Sequence, residues 1–240
     1  MNSFFAVTLL SVILFTSCRY VTGKRVKGSG NVVTQTRSFS GFTGVDVSSA
    51  IHLYVKQDSS FSVKVETDDN IQSYVLIKQD GNTLRIMQAE NANLDATGKI
   101  KVYVSAPLIN TLDASGACKI IGENVLTATD EINVDVSGAS SAELELKAPE
   151  VSGEMTGASD LRLKGQTKDL RIKGSGASHA YCYSLLSETA EVDVAGASSA
   201  DVFASVKLKA EASGSSHVRY KGNAAVNQST SGAGSVKKVE

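Results

Sequence analysis

The chain has 240 residues, of which 42% are hydrophobic, with 24 basic and 25 acidic side chains and a net charge of −1. This apolar content is enough for a buried core in one elongated domain or two small ones. The charges are spread along the chain without basic runs or an acidic tail, which argues against nucleic acid and against charge-driven partners.

The first 18 residues predict an export signal that ends in a lipidated cysteine. Residues 4–15 form an apolar run that is too short to span a bilayer but has the length of a signal-peptide core. The run ends at Leu14-Phe15-Thr16-Ser17-Cys18, which resembles a lipobox, so Cys18 is expected to be lipidated and to become the mature N-terminus. An ordinary signal peptide with an incidental cysteine is the alternative. Residues 19–27 are then expected to be a polar tether.

Residues 28–110 predict a β-rich front region with antiparallel pairing. Asp80-Gly81-Asn82 lies between two alternating segments and is a strong hairpin signal. The segment Val45–Val55 matches the downstream repeat, with Ser49 at the glycine position, and is expected to form an extra first turn. The rest of the region is expected to cap that turn, because an open solenoid end exposes unpaired strand edges and core.

Residues 111–240 consist of repeats centred on a glycine, and the clearest copy is Val134-Asp-Val-Ser-Gly-Ala-Ser-Ser-Ala-Glu-Leu-Glu-Leu146. The glycine recurs at Gly116, Gly138, Gly157, Gly176, Gly196, Gly214 and Gly232, with spacings of 22, 19, 19, 20, 18 and 18 residues. Both flanks alternate with period two, as strands do, and glycine supplies the positive φ of a tight corner. The pattern predicts an all-β chain with a right-handed parallel β-helix of about seven ~19-residue turns. A β-sandwich is the alternative.

The sequence also resembles a known family. The residues that carry the likeness are Gly28-Ser-Gly30, Arg37-Ser-Phe-Ser-Gly-Phe42, Val45-Asp-Val-Ser48, Val63-Lys-Val-Glu-Thr-Asp-Asp-Asn70, Asp80-Gly-Asn-Thr-Leu84 and the Ser-Gly-Ala-Ser repeats. Over residues 28–237 they resemble the autotransporter-adhesin head domain family. This resemblance implies an exported, often lipidated bacterial envelope protein, and it implies no catalytic residues.

An outward position three residues before each glycine is mostly acidic. Its members are Asp113, Asp135, Glu154, Lys173, Asp193 and Glu211. Stacked carboxylates about 5 Å apart have the spacing of a retaining glycosidase, and they also suit mutual pKa shifts or calcium. Because the position repeats in every turn, whereas a catalytic pair is a unique break, a solvated face and candidate binding surface is the preferred interpretation.

Four other sets of residues in the sequence could form sites. The position two residues after each glycine (Cys118, Ser140, Ser159, Ser178, Ser198, Ser216) suits either hydrogen bonding along the rod or small-residue packing. His52, His179 and His217 are expected to be solvated at corners, too far apart to share a metal. Cys118 and Cys182, three repeats apart, are expected to be buried and unbridged. Tyr181 and Tyr183 are expected to face outward together, as a candidate surface for sugars or a partner protein.

The sequence therefore predicts a non-enzymatic binding, adhesion or envelope-structural module, lipid-anchored in the periplasm or at the outer-membrane surface. Its expected partner is a glycan or an envelope protein, without cofactor, metal or nucleic acid, and with membrane contact through the lipid anchor alone. A carbohydrate-active enzyme, either a polysaccharide lyase or a hydrolase, is the alternative, because such enzymes also use parallel β-helices.

Overall fold

A computed structural model describes residues 23–240, so the predicted signal peptide, Cys18 and residues 19–22 of the predicted tether lie outside the described range. The described chain is almost entirely β, apart from one 3-10 turn at Gln72–Tyr74. The strands are β1 Lys24–Lys27, β2 Val32–Arg37, β3 Gly44–Ser48, β4 His52–Gln57, β5 Ser62–Asp68, β6 Val75–Asp80, β7 Thr83–Gln88, β8 Ala92–Asp95, β9 Lys101–Ala106, β10 Thr111–Ser115, β11 Lys119–Thr127, β12 Glu131–Val136, β13 Ser141–Met155, β14 Asp160–Gly174, β15 His179–Leu186, β16 Thr189–Val194, β17 Ser199–Phe203, β18 Lys207–Ala212, β19 His217–Lys221, β20 Ala225–Thr230 and β21 Ser235–Lys238. Within residues 23–240 no helix is long and apolar enough to cross a membrane.

Apart from β1 and β8, which pair only with each other, the strands stack into two sheets that share one core. Sheet 1 has the order β6-β7-β3-β10-β12-β13-β14-β16-β18-β20. Sheet 2 has the order β2-β5-β9-β4-β11-β13-β14-β15-β17-β19-β21. The long strands β13 and β14 run through the return bend and belong to both sheets. From β3 and β4 onward every neighbour is parallel, which confirms the solenoid and excludes the β-sandwich.

Each turn passes from sheet 1 to sheet 2 through a glycine corner. Seven corner glycines, with φ between 68° and 86°, stack on one another and enclose about six turns, against the seven expected. At each level the amide after the glycine donates to the carbonyl of the glycine below, as Ala158 does to Gly138 at 2.7 Å. The first corner uses Ser49 at φ 73°, in register with Gly116, as the repeat predicts.

The alternating pattern places apolar side chains inside the rod. Val136 is 1% exposed and pairs in register with Ala114 below and Met155 above. The position two residues after each glycine is also buried, and its hydroxyls bond along the rod: Ser178 donates to Ser198 at 3.2 Å, and the Cys118 amide donates to Ser140 at 3.1 Å. Cys118 and Cys182 are free and buried, as expected, and burial raises the pKa of Cys182 to about 12.

The front region contains antiparallel strands, as expected, and its strands β7 and β9 pair with β3 and β4 of the first turn. Strands β2, β5 and β9 are antiparallel, and β6 and β7 form the predicted hairpin around Gly81 and Asn82. The boundary of the predicted tether needs correction: Lys24–Lys27 forms β1, which pairs in parallel with β8, and Arg25 bonds Asp95 at 2.8 Å. The polar sequence of this strand gives no alternation that could have indicated it.

Asp68 joins separate segments of this front region through hydrogen bonds. Its buried carboxylate accepts bonds from the amides of Gly30 at 2.8 Å and Thr97 at 2.9 Å, and from the Thr97 hydroxyl at 2.8 Å. A Cβ on Gly28 would lie 2.5 Å from the same carboxylate, which explains the glycine there. The amide of Thr97 makes the largest contribution to holding the pKa of Asp68 below its ordinary value of 3.8.

Asp68→Asn is expected to destabilise the protein by about 3 kcal/mol at pH 7, because it puts an amide donor against two backbone donors. A lowered carboxyl pKa contributes stability above pH 3.8 that is lost as the pH falls through the folded-state pKa. The difference between wild type and variant should therefore shrink at pH 3, as measured by urea unfolding. Asp80→Asn, at an exposed ion pair with Arg85, is the control and should cost less than about 0.5 kcal/mol at both pH values.

Candidate functional site on the outer faces

The acidic positions predicted from the repeat form one outward column on sheet 1. The column runs Arg85, Asp46, Asp113, Asp135, Glu154, Lys173, Asp193 and Glu211 on successive strands. The structure thus adds Asp46 to the predicted set, so four carboxylates from Asp46 to Glu154 follow one another before the first lysine. We call these eight residues the acidic column.

The two halves of this face differ in electrostatics. In the front half, burial raises the pKa of Asp113 to about 6, with Asp135 and Asp46 adding to the shift, and burial and Glu154 raise that of Asp135. In the rear half, Lys209 bonds Glu191 at 2.8 Å and Glu211 at 3.2 Å, and its positive charge offsets the negative charges there. Among residues 23–240, no three His, Cys, Asp or Glu side chains are grouped so that they could hold a metal ion.

Asp113→Asn is expected to stabilise the protein at neutral pH. Its raised pKa means that the folded state holds the proton more tightly between pH 3.8 and about 6, so stability falls as the pH rises through that window and stays lower above it. Because the substitution removes this cost, it should raise the free energy of unfolding by about 1 kcal/mol at pH 7.5, a figure discounted for the half-exposed side chain. At pH 3.5 the free energy of unfolding should hardly change. Urea unfolding at both pH values measures the difference.

Asp193→Asn, farther along the same column beside Lys173, is the control and should change stability little at either pH. If Asp113→Asn changes the free energy of unfolding equally at pH 3.5 and pH 7.5, the result would contradict the burial of the Asp113 charge.

The predicted tyrosines lie on the other sheet. Outward positions of sheet 2 form a second column, the tyrosine column, which runs Tyr103, Tyr54, Ile121, Glu143, Arg162, Tyr181, Asp201, Arg219 and Lys237. The predicted binding residues therefore do not form one site: the carboxylates face outward from sheet 1, and Tyr181 and Tyr183 from sheet 2.

The front of sheet 2 holds an open polar groove of about 560 Å³, the front groove. It is lined by Thr34, Lys56, Asp58, Ser60, Ser62, Lys64, Glu66, Tyr103, Val104, Ser105 and Glu123. Tyr103, which lines the groove, stacks its ring on Tyr54 with centroids 4.9 Å apart. Glu66 is bonded to Lys101 at 2.7 Å and accepts from the Tyr103 hydroxyl at 3.4 Å. The repeat did not indicate this groove, since all its residues except Glu123 of β11 come from the front region.

A second group, the rear cluster, surrounds Tyr181 and consists of Arg162, His179, Tyr181, Asp201 and Arg219. The His179 ring stacks on Tyr181 at 3.7 Å, and the Arg162 guanidinium lies over the same tyrosine at 4.3 Å. Asp201, 4% exposed, is held by Arg219 through two bonds of 2.7 and 2.9 Å and by His179 at 3.2 Å. A buried carboxylate paired with a guanidinium fork is a rigid arrangement.

Tyr183 is less exposed than Tyr181 and lies near Asp201. A bulge in β15 shifts the register between Arg162 and Lys164, next to Tyr183. Burial raises the pKa of Tyr183 to about 12, with Asp201 as a further cause, and Lys221 lies 5.5 Å from its ring.

One expectation about the histidines was wrong. His179 is half-buried, because its ring stacks on Tyr181 and bonds to Asp201. His217 is exposed, as expected, and its Nδ1 lies 2.8 Å from the Ser235 hydroxyl. Within residues 23–240 no carboxylate is bonded to the His217 ring, so the third member of a triad is missing there.

Solved structures resemble this chain in fold. A "putative adhesin" from Bacteroides fragilis has 20% identity and a TM-score of 0.84, covering 89% of this chain and 100% of that one. A "putative adhesin" from Parabacteroides merdae has 22% identity and a TM-score of 0.74, covering 90% and 99%. A "putative lipid binding protein" from Parabacteroides distasonis has 19% identity and a TM-score of 0.73, covering 90% and 100%. No curated protein matches the sequence.

The family model described as "Putative auto-transporter adhesin, head GIN domain" matches residues 41–224. The match takes in the first turn at Ser49 and all corner glycines except Gly232, so it spans the solenoid and most of its front cap. The resemblance expected from the sequence is thereby confirmed, and the chain belongs to this adhesin head-domain family.

Proposed function

We propose that the protein is an exported, non-enzymatic binding module of the cell envelope that recognises a glycan through the outer face of sheet 2. Membership of the adhesin head-domain family supports an exported, cell-surface location. The likeness to solved structures supports the fold alone.

The observation that carries the proposal is the front groove. Oligosaccharides are recognised by an aromatic surface beside several polar groups, and the groove offers Tyr103 next to serine hydroxyls, lysines and carboxylates. Its volume is within the usual range for ligand sites, but its lining is more polar than that of sites for apolar small molecules. The acidic column, by contrast, is a repeated surface with the same chemistry on most strands, and the pocket at its rear half is smaller, at about 330 Å³.

A carbohydrate-active enzyme is the second candidate, because the groove contains Asp58, Glu66 and Glu123. Hydrolysis requires one carboxyl group as proton donor and another as nucleophile or base. Here Glu66 is bonded to Lys101 at 2.7 Å, and Asp58 is bonded to Lys56 at 2.8 Å. These ion pairs engage two of the three carboxylates with neighbouring lysines, which favours binding over catalysis.

A glycan array combined with a reducing-end assay on the same purified protein tests the proposal. We expect retention of at least one glycan without release of reducing ends. Ser62→Trp, which places a bulky side chain in the groove while leaving the core intact, should abolish retention. Release of reducing ends that disappears in Glu66→Gln would instead establish the enzyme, and retention unchanged in Ser62→Trp would refute the groove.

We further propose that Cys18 carries a lipid anchor, on the strength of the apolar run and the lipobox-like residues before it. Strand β1 begins at Lys24, six residues after Cys18 in the sequence, so an anchor there would hold β1 and the front cap close to the membrane. Metabolic labelling with a palmitate analogue should mark wild type but not Cys18→Ala. Equal labelling of the two proteins would refute the anchor.

A further inference from the structure

The rear cluster holds its cations in fixed positions. Arg219 is locked by the two bonds to the buried Asp201 carboxylate, and Arg162 lies flat over Tyr181. Both side chains nevertheless remain exposed, at 46% for Arg219 and 44% for Arg162. Their remaining N–H donors are therefore available to a ligand without the entropic cost of ordering a free arginine.

Tyr181 itself has no free ring face. Two groups cannot both lie within 3.7 and 4.3 Å over the same side of a ring, so His179 covers one face and Arg162 covers the other. The tyrosine therefore cannot stack on a sugar or a nucleic-acid base. Tyr181 instead positions Arg162. Asp201 positions His179 through their hydrogen bond.

The charges around the cluster favour an anion. Arg162, Arg219, Lys221 and Lys237 contribute four positive charges, and Lys237 is paired in register with Arg219. Among residues 23–240, two carboxylates are bonded to these groups, namely the buried Asp201 and the exposed Asp160, which bonds Arg162 at 3.2 Å. Glu143, in register with Arg162, is a third carboxylate beside the cluster, so the positive charges still outnumber the negative ones. The front of the acidic column on sheet 1, with four successive carboxylates, would repel the same ligand.

The cluster and the front groove lie along one line. Tyr54, beside the groove, and Tyr181 belong to the same outward column, on strands four steps apart, which corresponds to about 19 Å. A linear polymer that lies along the rod can contact both places at once, whereas a small molecule cannot.

We propose that the rear cluster binds the anionic groups of an acidic polysaccharide that also occupies the front groove. This proposal rests on the function proposed above and specifies its ligand class. The planar guanidinium forks match carboxylate and sulfate groups, and a repeating anionic chain presents these groups at intervals along the face. With its aromatic ring faces covered, the cluster lacks the stacking platform that single-stranded nucleic acid requires.

Titration with polygalacturonate, dextran sulfate and neutral dextran tests the proposal. Arg162→Gln, which leaves no buried partner unpaired, should weaken binding of the two acidic polymers about tenfold and leave neutral dextran unchanged. Arg219→Lys keeps the charge but loses the fork, and should weaken acidic binding several-fold. Arg171→Gln removes a similar exposed charge from sheet 1 and is the matched control, with no change expected. Acidic binding should also weaken as salt is added.

Unchanged binding of both acidic polymers in Arg162→Gln would overturn the inference, and so would equal affinity for a single-stranded oligonucleotide or for anionic lipid vesicles. If Arg162→Gln weakens binding of only one acidic polymer, the result would identify carboxylate or sulfate as the recognised group and would support the inference. If Ser62→Trp abolishes binding of all polysaccharides while Arg162→Gln has no effect, only the rear cluster is refuted. If Ser62→Trp has no effect on any of them, the proposed function fails.

Discussion

Gly157→Ala is expected to destabilise the solenoid by about 4 kcal/mol or more, one of the two largest effects of a single substitution in this chain. Gly157 has φ 80°, where an alanine is strained. A Cβ there would lie 2.6 Å from the carbonyl oxygen of Gly138 and 3.1 Å from its nitrogen. The added methyl group must therefore separate two stacked corners and break the bond that Ala158 donates to Gly138.

Urea unfolding followed by circular dichroism measures this effect. Gly98→Ala is the matched control, because no atom lies within 4 Å of a Cβ at Gly98 and its φ is not positive. Gly98→Ala should leave the free energy of unfolding unchanged or raise it slightly. Similar stabilities of the two variants would contradict the stacked corners.

Val136→Asp is expected to cost about 3–5 kcal/mol, because it buries a carboxylate without a partner. Val136 is 1% exposed and lies between Ala114 and Met155 of the adjacent turns, where no water can solvate the charge. Val206→Asp, at a valine that is 58% exposed, makes the same chemical change on the surface and should cost less than about 0.5 kcal/mol. Thermal unfolding of both variants checks the prediction, and a folded, stable Val136→Asp would show that the predicted register is wrong.

The repeat predicted the solenoid because each corner imposes two requirements that only glycine meets. The φ is positive, and the carbonyl of the previous corner lies within 2.5–2.9 Å of where a Cβ would be from Gly138 onward. The first corner accepts Ser49 because no earlier corner lies beneath it, so only the positive φ is costly there. Alternation then determined which side chains face inward, as Val136 shows.

The sites were harder to predict than the fold, because they depend on contacts between turns. Asp201 occupies an outward position in the repeat, and only its register with Arg219, 18 residues later, shows that it is buried beneath a guanidinium group. The bulge in β15, next to Tyr183, adds a residue that no periodic pattern reveals. Most residues of the front groove come from segments outside the repeat, so the groove residues have no common spacing.

The central claim is that the outer face of sheet 2, and not the acidic column of sheet 1, is the binding surface. Calorimetric titration of a polysaccharide retained by the wild type, repeated with Tyr103→Ala and Asp135→Asn, tests it most directly. Both variants are first checked for folding, since Tyr103 is partly buried against Tyr54. We predict that Tyr103→Ala weakens binding at least about tenfold and that Asp135→Asn leaves it unchanged. Full affinity in Tyr103→Ala together with loss in Asp135→Asn would contradict the claim and assign binding to sheet 1.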